Sequence, residues 1–513
     1  MISTRRAAAY GLVSALAGMA TGHLVAALLA PEASPVLAVG SAVIDATPRA
    51  VKEWAVSALG TADKSVLLGT VSLVTAALAA GAGVLSRRRV AYGATFIALL
   101  GALALTAAVT RPASTPIFAI PAVVATGVGL LVLGHLFRRH TATSQLENPL
   151  DHTAYAPGAP ATPRRRSVLT GATGIGIGSA LVGALGQGLM RPDPAAGVTL
   201  PVPAAPAAPL PPGLESTVPG ISPLRTPVAD FYRIDTALTI PRVDPGTWAL
   251  TIDGMVDREV RFTFADLLAM DLLESDVTIN CVSNEVGGPY IGSARWTGVL
   301  VKDLLARAGV HPEAEQAYTV SVDGMTISIP LEALMDDRGA LLAIGMNGEP
   351  LPTQHGFPAR LITPGLYGYV GATKWVERLY VTTYAKAAAY WSERGWAERA
   401  EVKTQTRIDT PKAGTGIAAG EVAIAGVAWA QAGGGISRVE VSVDGGGWLQ
   451  ARLGPAVGPA YWRQWHLPWT ATPGQHTLRA RASDASGTVQ DETVRPIAPD
   501  GATGYHVVEI TVQ

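Results

Sequence analysis

Cysteine is almost missing from this chain: there is one, Cys281, in 513 residues. A single thiol cannot close an intrachain disulfide, and it excludes zinc or iron–sulfur sites built on paired cysteines. Charge is scarce as well. Asp, Glu, Lys and Arg make up 15% of the residues and hydrophobic residues 48%, whereas charged residues reach roughly 25% in an ordinary soluble domain. The net charge of −1 gives no electrostatic footprint for nucleic acid. This poverty of charge is uneven. Long apolar runs fill residues 1–190, while residues 215–513 have the composition of a normal globular chain. The length suggests roughly two to four domains.

Five stretches carry no Asp, Glu, Lys or Arg and are long enough to cross a bilayer: 7–30, 65–85, 90–110, 117–137 and 167–190. Orientation follows from the cations in the short loops between them. Ten arginines (Arg5, Arg6, Arg87, Arg88, Arg89, Arg138, Arg139, Arg164, Arg165 and Arg166) fall on one side. Five cations (Arg49, Lys52, Lys64, Arg111 and Arg191) fall on the other. The amino terminus is therefore predicted to be cytoplasmic and everything after residue 190 extracytoplasmic, in a multi-pass protein of the plasma or inner membrane. The segment 35–60, with Pro48 and Lys52-Glu53-Trp54, is too polar to span and is placed at the outer interface. His23 and His135 fall at different depths in this topology, so no haem is expected, because one iron needs both axial ligands at one level.

The fifth stretch differs from the rest. It begins PRRRSVLTGATGIGIGSALVGALGQG (163–188), adjacent arginines followed by a short, glycine-rich, mildly apolar helix. This resembles a twin-arginine (Tat) export signal, which serves proteins that fold before translocation. The alternative is a basic flank with a Gly174-x-x-x-Gly178 packing face. The export reading predicts that the outer domain carries something only the cytoplasm can insert, such as a complex cofactor.

Residues 191–224 are rich in proline (Pro201, Pro203, Pro206, Pro209, Pro211, Pro212, Pro219) and read as a semi-rigid polyproline spacer. From 225 to 403, short strands such as 248–252 and 326–329 alternate with short amphipathic helices, notably 300–308, which suggests an α+β domain. From 404 to 513 the pattern is alternating strands, with Val439, Val441 and Val443 before a triple-glycine turn and Leu478, Ala480 and Ala482 between arginines. Such repetition predicts an all-β immunoglobulin-like sandwich.

Three stretches of the α+β domain carry residues suited to chemistry: CVSNEVGGPYIGSARWTGVLVKDLL (281–305), MNGEPLPTQHGFPARLITPGLYG (346–368) and Ala372-Thr373-Lys374-Trp375. In the first, an alternating run delivers the lone cysteine to a Gly287-Gly288-Pro289 break. In the others, His355, Arg360 and Lys374 are cationic or imidazole groups set among Gly and Pro, where rigid turns let backbone and side chains meet a phosphate together. The bland reading of each is a buried small hydrophobe for the cysteine and solvated loop charge for the cations.

In this order the stretches resemble the sulfite oxidase family of molybdenum-cofactor enzymes, over roughly 225–510. With the five apolar stretches, the whole reads as a multi-domain protein: a five-helix transmembrane region, then, as the resemblance implies, an α+β molybdopterin domain and an all-β immunoglobulin-like sandwich that corresponds to the family's dimerisation domain. It implies that Cys281 ligates molybdenum as a thiolate, which suits a soft metal centre. His355 and Arg360, with Ala372, Thr373 and Lys374, match residues that grip the pterin phosphate. Phe231, Tyr232 and Arg233 match the stretch bordering the cofactor, where the family's arginine faces the oxyanion and acts on substrate. Asp323 matches a cofactor-contacting acid less closely, because loop lengths differ around it. The cofactor implied is molybdenum–molybdopterin, and the activity is two-electron oxygen-atom transfer at a sulfur or nitrogen centre.

Departures from the family pattern bear on substrate. Vertebrate-type sulfite oxidases follow the metal-binding cysteine with Asn-Arg-Arg, whereas Asn284 is followed here by Glu285 and Val286. A pocket for a small dianion should be strongly positive. One substrate-side cation is missing, which opens the alternative of S-oxide or N-oxide reduction, as in the family's methionine sulfoxide reductases. The family's catalytic tyrosine falls loosely on Trp396, with Tyr390 close in sequence. No cytochrome domain accompanies the chain, so a separate cytochrome or quinone-linked electron partner is implied. A rival of another class is a non-catalytic surface binding protein displaying an immunoglobulin-like domain.

Overall fold

The structure, a computed structural model, describes residues 2–48, 51, 54, 55, 59, 63–111, 114–145 and 193–513. Two compact units are present, one formed by Met1–Pro192 with Ala237–Ile240 and the other by Asp193–Thr236 with Pro241–Gln513.

The first unit is helical: α1 (Thr4–Leu29), the short α2 (Pro35–Ala46), α3 (Asp63–Leu85), α4 (Val90–Val109) and α5 (Ala119–Gln145). Four of these, α1, α3, α4 and α5, are long and apolar enough to cross a membrane. They coincide with the first four predicted spans. The fifth, 167–190, and with it the twin-arginine stretch, lies outside the described residues, so the count among the described residues is four rather than five. Small residues set the helix contacts. A Cβ on Gly11 would lie 2.0 Å from the Ala79 carbonyl oxygen, and one on Gly18 2.4 Å from that of Ala125. Such close backbone approach is what small side chains allow between apolar helices. Leu73, Leu99 and Leu131 are exposed, as lipid-facing residues would be. His23 Nδ1 lies 3.1 Å from the Ser34 hydroxyl, a polar pair within the unit rather than an isolated imidazole.

The second unit holds two five-stranded sheets and a sandwich. One sheet has the order β2-β1-β10-β5-β6, with β1 (Ala249–Gly254), β2 (Val260–Thr263), β5 (Gln316–Ser321), β6 (Thr326–Pro330) and β10 (Val376–Thr382). Its β1–β10 pair is parallel and the other pairs are antiparallel. The second sheet is antiparallel, β3-β4-β7-β8 with β9 on β7, formed by β3 (Leu273–Asn280), β4 (Ile291–Leu300), β7 (Leu341–Met346), β8 (Glu349–Pro350) and β9 (Arg360–Ile362). Helix α6 (Val301–Ala308) follows β4 directly, burying Val301, Leu304, Leu305 and Ala308. These lie on one stripe at helical spacing, and the helix stops at Gly309, whose φ of 74° is left-handed. The mixed α+β character agrees with the sequence reading.

Beyond residue 404 the chain forms two packed sheets, β11-β13-β17-β16 and β12-β19-β18-β14-β15. The strands are β11 (Gln405–Thr410), β12 (Gly416–Ile417), β13 (Gly420–Trp429), β14 (Ile436–Val443), β15 (Leu449–Gln450), β16 (Arg452–Leu453), β17 (Arg463–Ala471), β18 (Gly474–Asp484) and β19 (His506–Val512). Val439, Val441, Leu478, Ala480 and Ala482 all point into the core, as their alternation predicts. Yet the sandwich is not independent of the α+β part. Val427, Trp429, Tyr461 and Trp462 belong to the same hydrophobic core as β3, β4 and β7.

The proline-rich stretch corrects the sequence reading. Its described part, 193–224, is no spacer but a strap bound along the second unit. Ala205 forms a parallel bridge with Leu273 on the edge strand β3, donating to the Leu272 carbonyl at 3.2 Å and accepting from Glu274 N–H at 3.0 Å. Further on, Leu214 N–H donates to Gln464 Oε1 at 2.8 Å, and Val218, Ile221 and Leu224 are buried. The physical reason is that polyproline backbone leaves its polar groups unpaired. An edge strand offers matching ones, and a covering segment removes the hazard of an open edge. Leu224→Ala is accordingly expected to destabilise the folded unit by roughly 2–4 kcal/mol, as buried leucine truncations do. Urea unfolding measures this, and a change under about 0.5 kcal/mol, typical of an exposed position, would restore the spacer reading.

Candidate functional site

Strand β3 delivers the lone cysteine. Val277, Thr278, Ile279 and Asn280 are all buried, because one face of the strand meets the α+β core and the other meets the sandwich. On that second face Thr278 N–H donates to the Ala460 carbonyl at 2.9 Å, and Trp462 N–H donates to Thr278 Oγ1 at 2.8 Å. The strand ends at Asn280. Cys281 N–H then donates to the Tyr290 carbonyl at 2.9 Å, and Asn284 N–H to the Cys281 carbonyl at 3.0 Å. Asn284 ties the loop across its width, its Oδ1 accepting Tyr290 N–H at 2.7 Å. The Cys281 thiol is partly buried and lies 2.9 Å from the Ser283 hydroxyl. Burial pushes the thiol pKa up, while the Ser283 hydrogen bond and the Lys374 ammonium oppose the rise.

The cationic groups come from two turns that meet at Gly356. A 3-10 turn, Thr353–His355, ends in Gly356 at φ 115°, a conformation open to glycine. A Cβ there would lie 3.1 Å from both Lys374 Cα and Arg360 Cβ, so the two segments close on the bare backbone. Arg360 opens β9 with its guanidinium buried, donating to the carbonyls of His355 (3.1 Å) and Ala372 (3.4 Å) and lying 5.2 Å from the Trp296 ring centroid. Trp375 holds φ 50°, uncommon for a bulky residue, fixed by its indole N–H donating to the Thr353 carbonyl at 2.9 Å. That turn presents Lys374, whose Nζ donates to Asp235 Oδ2 at 2.8 Å. Arg233 Nε stands 3.7 Å from the same oxygen. Phe231 lines the cluster, stacked on Tyr232 at 5.4 Å and edge-on to His355 at 5.6 Å.

Electrostatically this is a basic cage. Burial holds the Arg360 guanidinium down to about 10. The His355 imidazole is pushed down to about 4, first by burial and then by Arg360, Lys374 and Arg233. Burial raises Tyr232, and the nearby Cys281 adds to the rise. Buried polar atoms without a protein partner point the same way: His355 Nε2, Arg360 Nε and Asn284 Nδ2. A buried guanidinium paired only with carbonyls and an aromatic face is costly unless an anion meets it. The donor set, a thiol beside an imidazole, two arginines and a lysine, thus fits a phosphate-bearing metal cofactor with a soft ligand position.

The structure brings Phe231, Tyr232, Arg233, Cys281, His355, Arg360, Ala372 and Lys374 into this neighbourhood. Thr373 is adjacent in sequence, but its hydroxyl is 2.6 Å from that of Thr319, in the buried interior. Asp323 stands apart: its Oδ1 accepts Met325 N–H at 3.2 Å in the β5–β6 turn, and its charge adds to burial in raising the Glu377 carboxyl pKa. The aromatic positions also shift. Trp396 is buried against Tyr369 and Trp391, and Tyr390 lies beneath Arg394, whereas the phenols whose ionisation Cys281 opposes are Tyr232 and Tyr367. Sequence reasoning missed Asp235, the carboxylate that ties Lys374 and Arg233 together. Its signal was available, an acid two residues after the arginine in DFYRIDTAL.

Comparison with known proteins agrees with this arrangement. The family model described as oxidoreductase molybdopterin binding domain matches residues 237–391, and that of the bacterial Ig domain matches 405–480. Mitochondrial sulfite oxidase of Macaca fascicularis is 33% identical over 309 residues, covering 51% of this chain and 56% of that protein. The human enzyme of the same name is 32% identical over the same length and shares. The chain thus spans about half the length of these curated relatives. The uncharacterized oxidoreductase YuiH of Bacillus subtilis (strain 168) is 32% identical over 158 residues, 31% of this chain and 76% of that protein. Among solved structures, the sulfane dehydrogenase SoxCD from Paracoccus pantotrophus aligns at 27% identity and TM-score 0.49, covering 56% of this chain and 82% of that one. With the cage, the thiol and the matched domain together, the chain belongs to the sulfite oxidase family of molybdopterin-binding oxidoreductases.

Proposed function

We propose that the chain is an extracytoplasmic, membrane-tethered molybdenum-cofactor oxidoreductase acting by oxygen-atom transfer at a sulfur or nitrogen centre. The observation that carries this reading is the buried cage of Arg360 and His355 beside Lys374, set next to the single thiol. Molybdenum–molybdopterin, when bound, would supply the two-electron oxygen-atom chemistry. Cys281 would ligate the metal as a thiolate, and His355, Arg360 and Lys374 would hold the pterin phosphate. Arg233 is exposed and the cation best placed to orient an incoming substrate and offset developing charge. Asp235 would keep Lys374 and Arg233 in register. The arginine excess on one side of the predicted spans supports the extracytoplasmic placement. A separate cytochrome or quinone-linked protein would exchange electrons with the site, and the sandwich would mediate a homodimer. A non-catalytic display role gives no reason to bury the Arg360 guanidinium and His355 imidazole with Arg360 Nε and His355 Nε2 unpartnered. Metal and pterin analysis of protein from a molybdenum-replete host tests the proposal: molybdenum with pterin is expected, and folded protein devoid of both sinks it.

One observation favours the reductive direction. Glu285 is exposed where vertebrate-type relatives carry arginine, and Arg233 lies within 3.7 Å of Asp235. That leaves little free positive charge for a dianion and suits a neutral S-oxide or N-oxide. Two assays decide between the directions: sulfite-dependent reduction of an artificial acceptor, and oxidation of a reduced dye by methionine sulfoxide. Faster turnover in the second is expected, and turnover confined to the first refutes the reductive reading.

A further inference from the structure

The loop that carries Cys281 is backed by the carboxy-terminal sandwich at one buried junction. Arg407, on β11, donates from one terminal nitrogen to the Gly288 carbonyl at 2.9 Å. Its other terminal nitrogen donates to Ser222 Oγ of the strap at 2.8 Å, and its Nε to Asp409 Oδ1 at 2.6 Å. Asp409 closes the circuit, its Oδ2 accepting Ser222 N–H at 2.9 Å. Both charged side chains are largely buried, at 12% and 7% exposure. Beside them His506, the first residue of β19, accepts Ile408 N–H on Nδ1 at 3.0 Å and lies beneath Gly287. A Cβ on Gly287 would fall 2.1 Å from His506 Nε2, and one on Gly288 2.6 Å from Asn284 Oδ1. The paired glycines are therefore needed because the sandwich presses on one and the Asn284 tie on the other.

We propose that Arg407 is a positioning residue: through the Gly288 carbonyl it fixes the 281–290 loop, and so the direction of the Cys281 side chain, from the sandwich. One guanidinium makes three charge-assisted hydrogen bonds to three separate segments, and such bonds have about twice the strength of neutral ones. Without it, the loop loses this hydrogen bond to the sandwich and keeps its internal ties through Asn284 and Tyr290. The catalytic consequence rests on the reading of Cys281 as a metal ligand, but the loop geometry does not.

The test is hydrogen exchange and thiol alkylation on the cofactor-free full chain, in which Cys281 is the only thiol. In Arg407→Gln, amide exchange across 281–290 and iodoacetamide labelling of Cys281 should both accelerate by about tenfold or more, from the loss of a charge-assisted buried bond. Exchange in β14 and β18 should be unchanged. Arg407→Lys should recover part of the protection, and Arg438→Gln, on a half-exposed sandwich arginine remote from the loop, should alter nothing there. If Arg407→Gln fails to fold because Asp409 is left unpaired, Arg407→Gln/Asp409→Asn carries the same comparison. Unchanged exchange and labelling, or acceleration spread evenly over the sandwich, overturns the proposal. Neither readout needs bound metal, so this test and metal analysis fail independently.

Discussion

Cys281→Ser is expected to reduce redox turnover to background while leaving the fold in place. A serine hydroxyl is a hard donor that stays protonated, so it cannot replace a thiolate at a soft metal centre. The surroundings tolerate the exchange. The side chain is partly buried, and a hydroxyl can keep the 2.9 Å contact with Ser283. With that hydroxyl hydrogen-bonded at a partly buried position, the change should cost on the order of 1 kcal/mol. Dye-linked turnover, molybdenum content and circular dichroism check the three parts together. Wild-type turnover in this variant would remove Cys281 from the proposed metal site.

Arg360→Met should leave the stability of the cofactor-free protein nearly unchanged while cutting cofactor retention. Burial holds the guanidinium down to about 10, well below its ordinary range. A depressed cation destabilises the folded protein at every pH below its folded value, here by roughly 3 kcal/mol in the cofactor-free chain. Methionine removes that penalty but frees the His355 and Ala372 carbonyls, at a cost of about 1–3 kcal/mol each. The two effects largely cancel, so thermal unfolding of the cofactor-free protein should move little. Retention should instead fall by at least about tenfold, since one charge-assisted contact to an anion is lost. Pterin released on denaturation measures this. Undiminished pterin, or a collapse of stability in the cofactor-free variant, would show that the buried guanidinium serves the fold alone.

The parts of the molecule that sequence made legible are those where local pattern and tertiary outcome coincide. Val439 and Val441 alternate into a half-buried sheet, and Val301, Leu304, Leu305 and Ala308 repeat at helical spacing against a core. Cys281 stood out because a strand pattern ran straight into a glycine break. What stayed hidden depends on which surfaces meet. Nothing local tells a polyproline spacer from a polyproline strap, since both have the same backbone preference. The difference is the unpaired edge of β3, distant in sequence. Asp323 and Trp396 match the family pattern only loosely, and the fold gives them a turn to cap and an aromatic core to fill. Asp235 reads as an ordinary surface acid until Lys374, far along the chain, arrives beside it.

The position of His506 at the start of β19 gives the site a timetable. Synthesis produces β3 and the cysteine loop well before the strand that lies behind Gly287. Domains form as units while the chain is being made. During that interval the loop has its internal hydrogen bonds but no wall at its back. The pairing of β19 with β18 then brings His506 up behind Gly287. Replacing the His506 ring by a small side chain would therefore leave that wall missing in the finished protein as well.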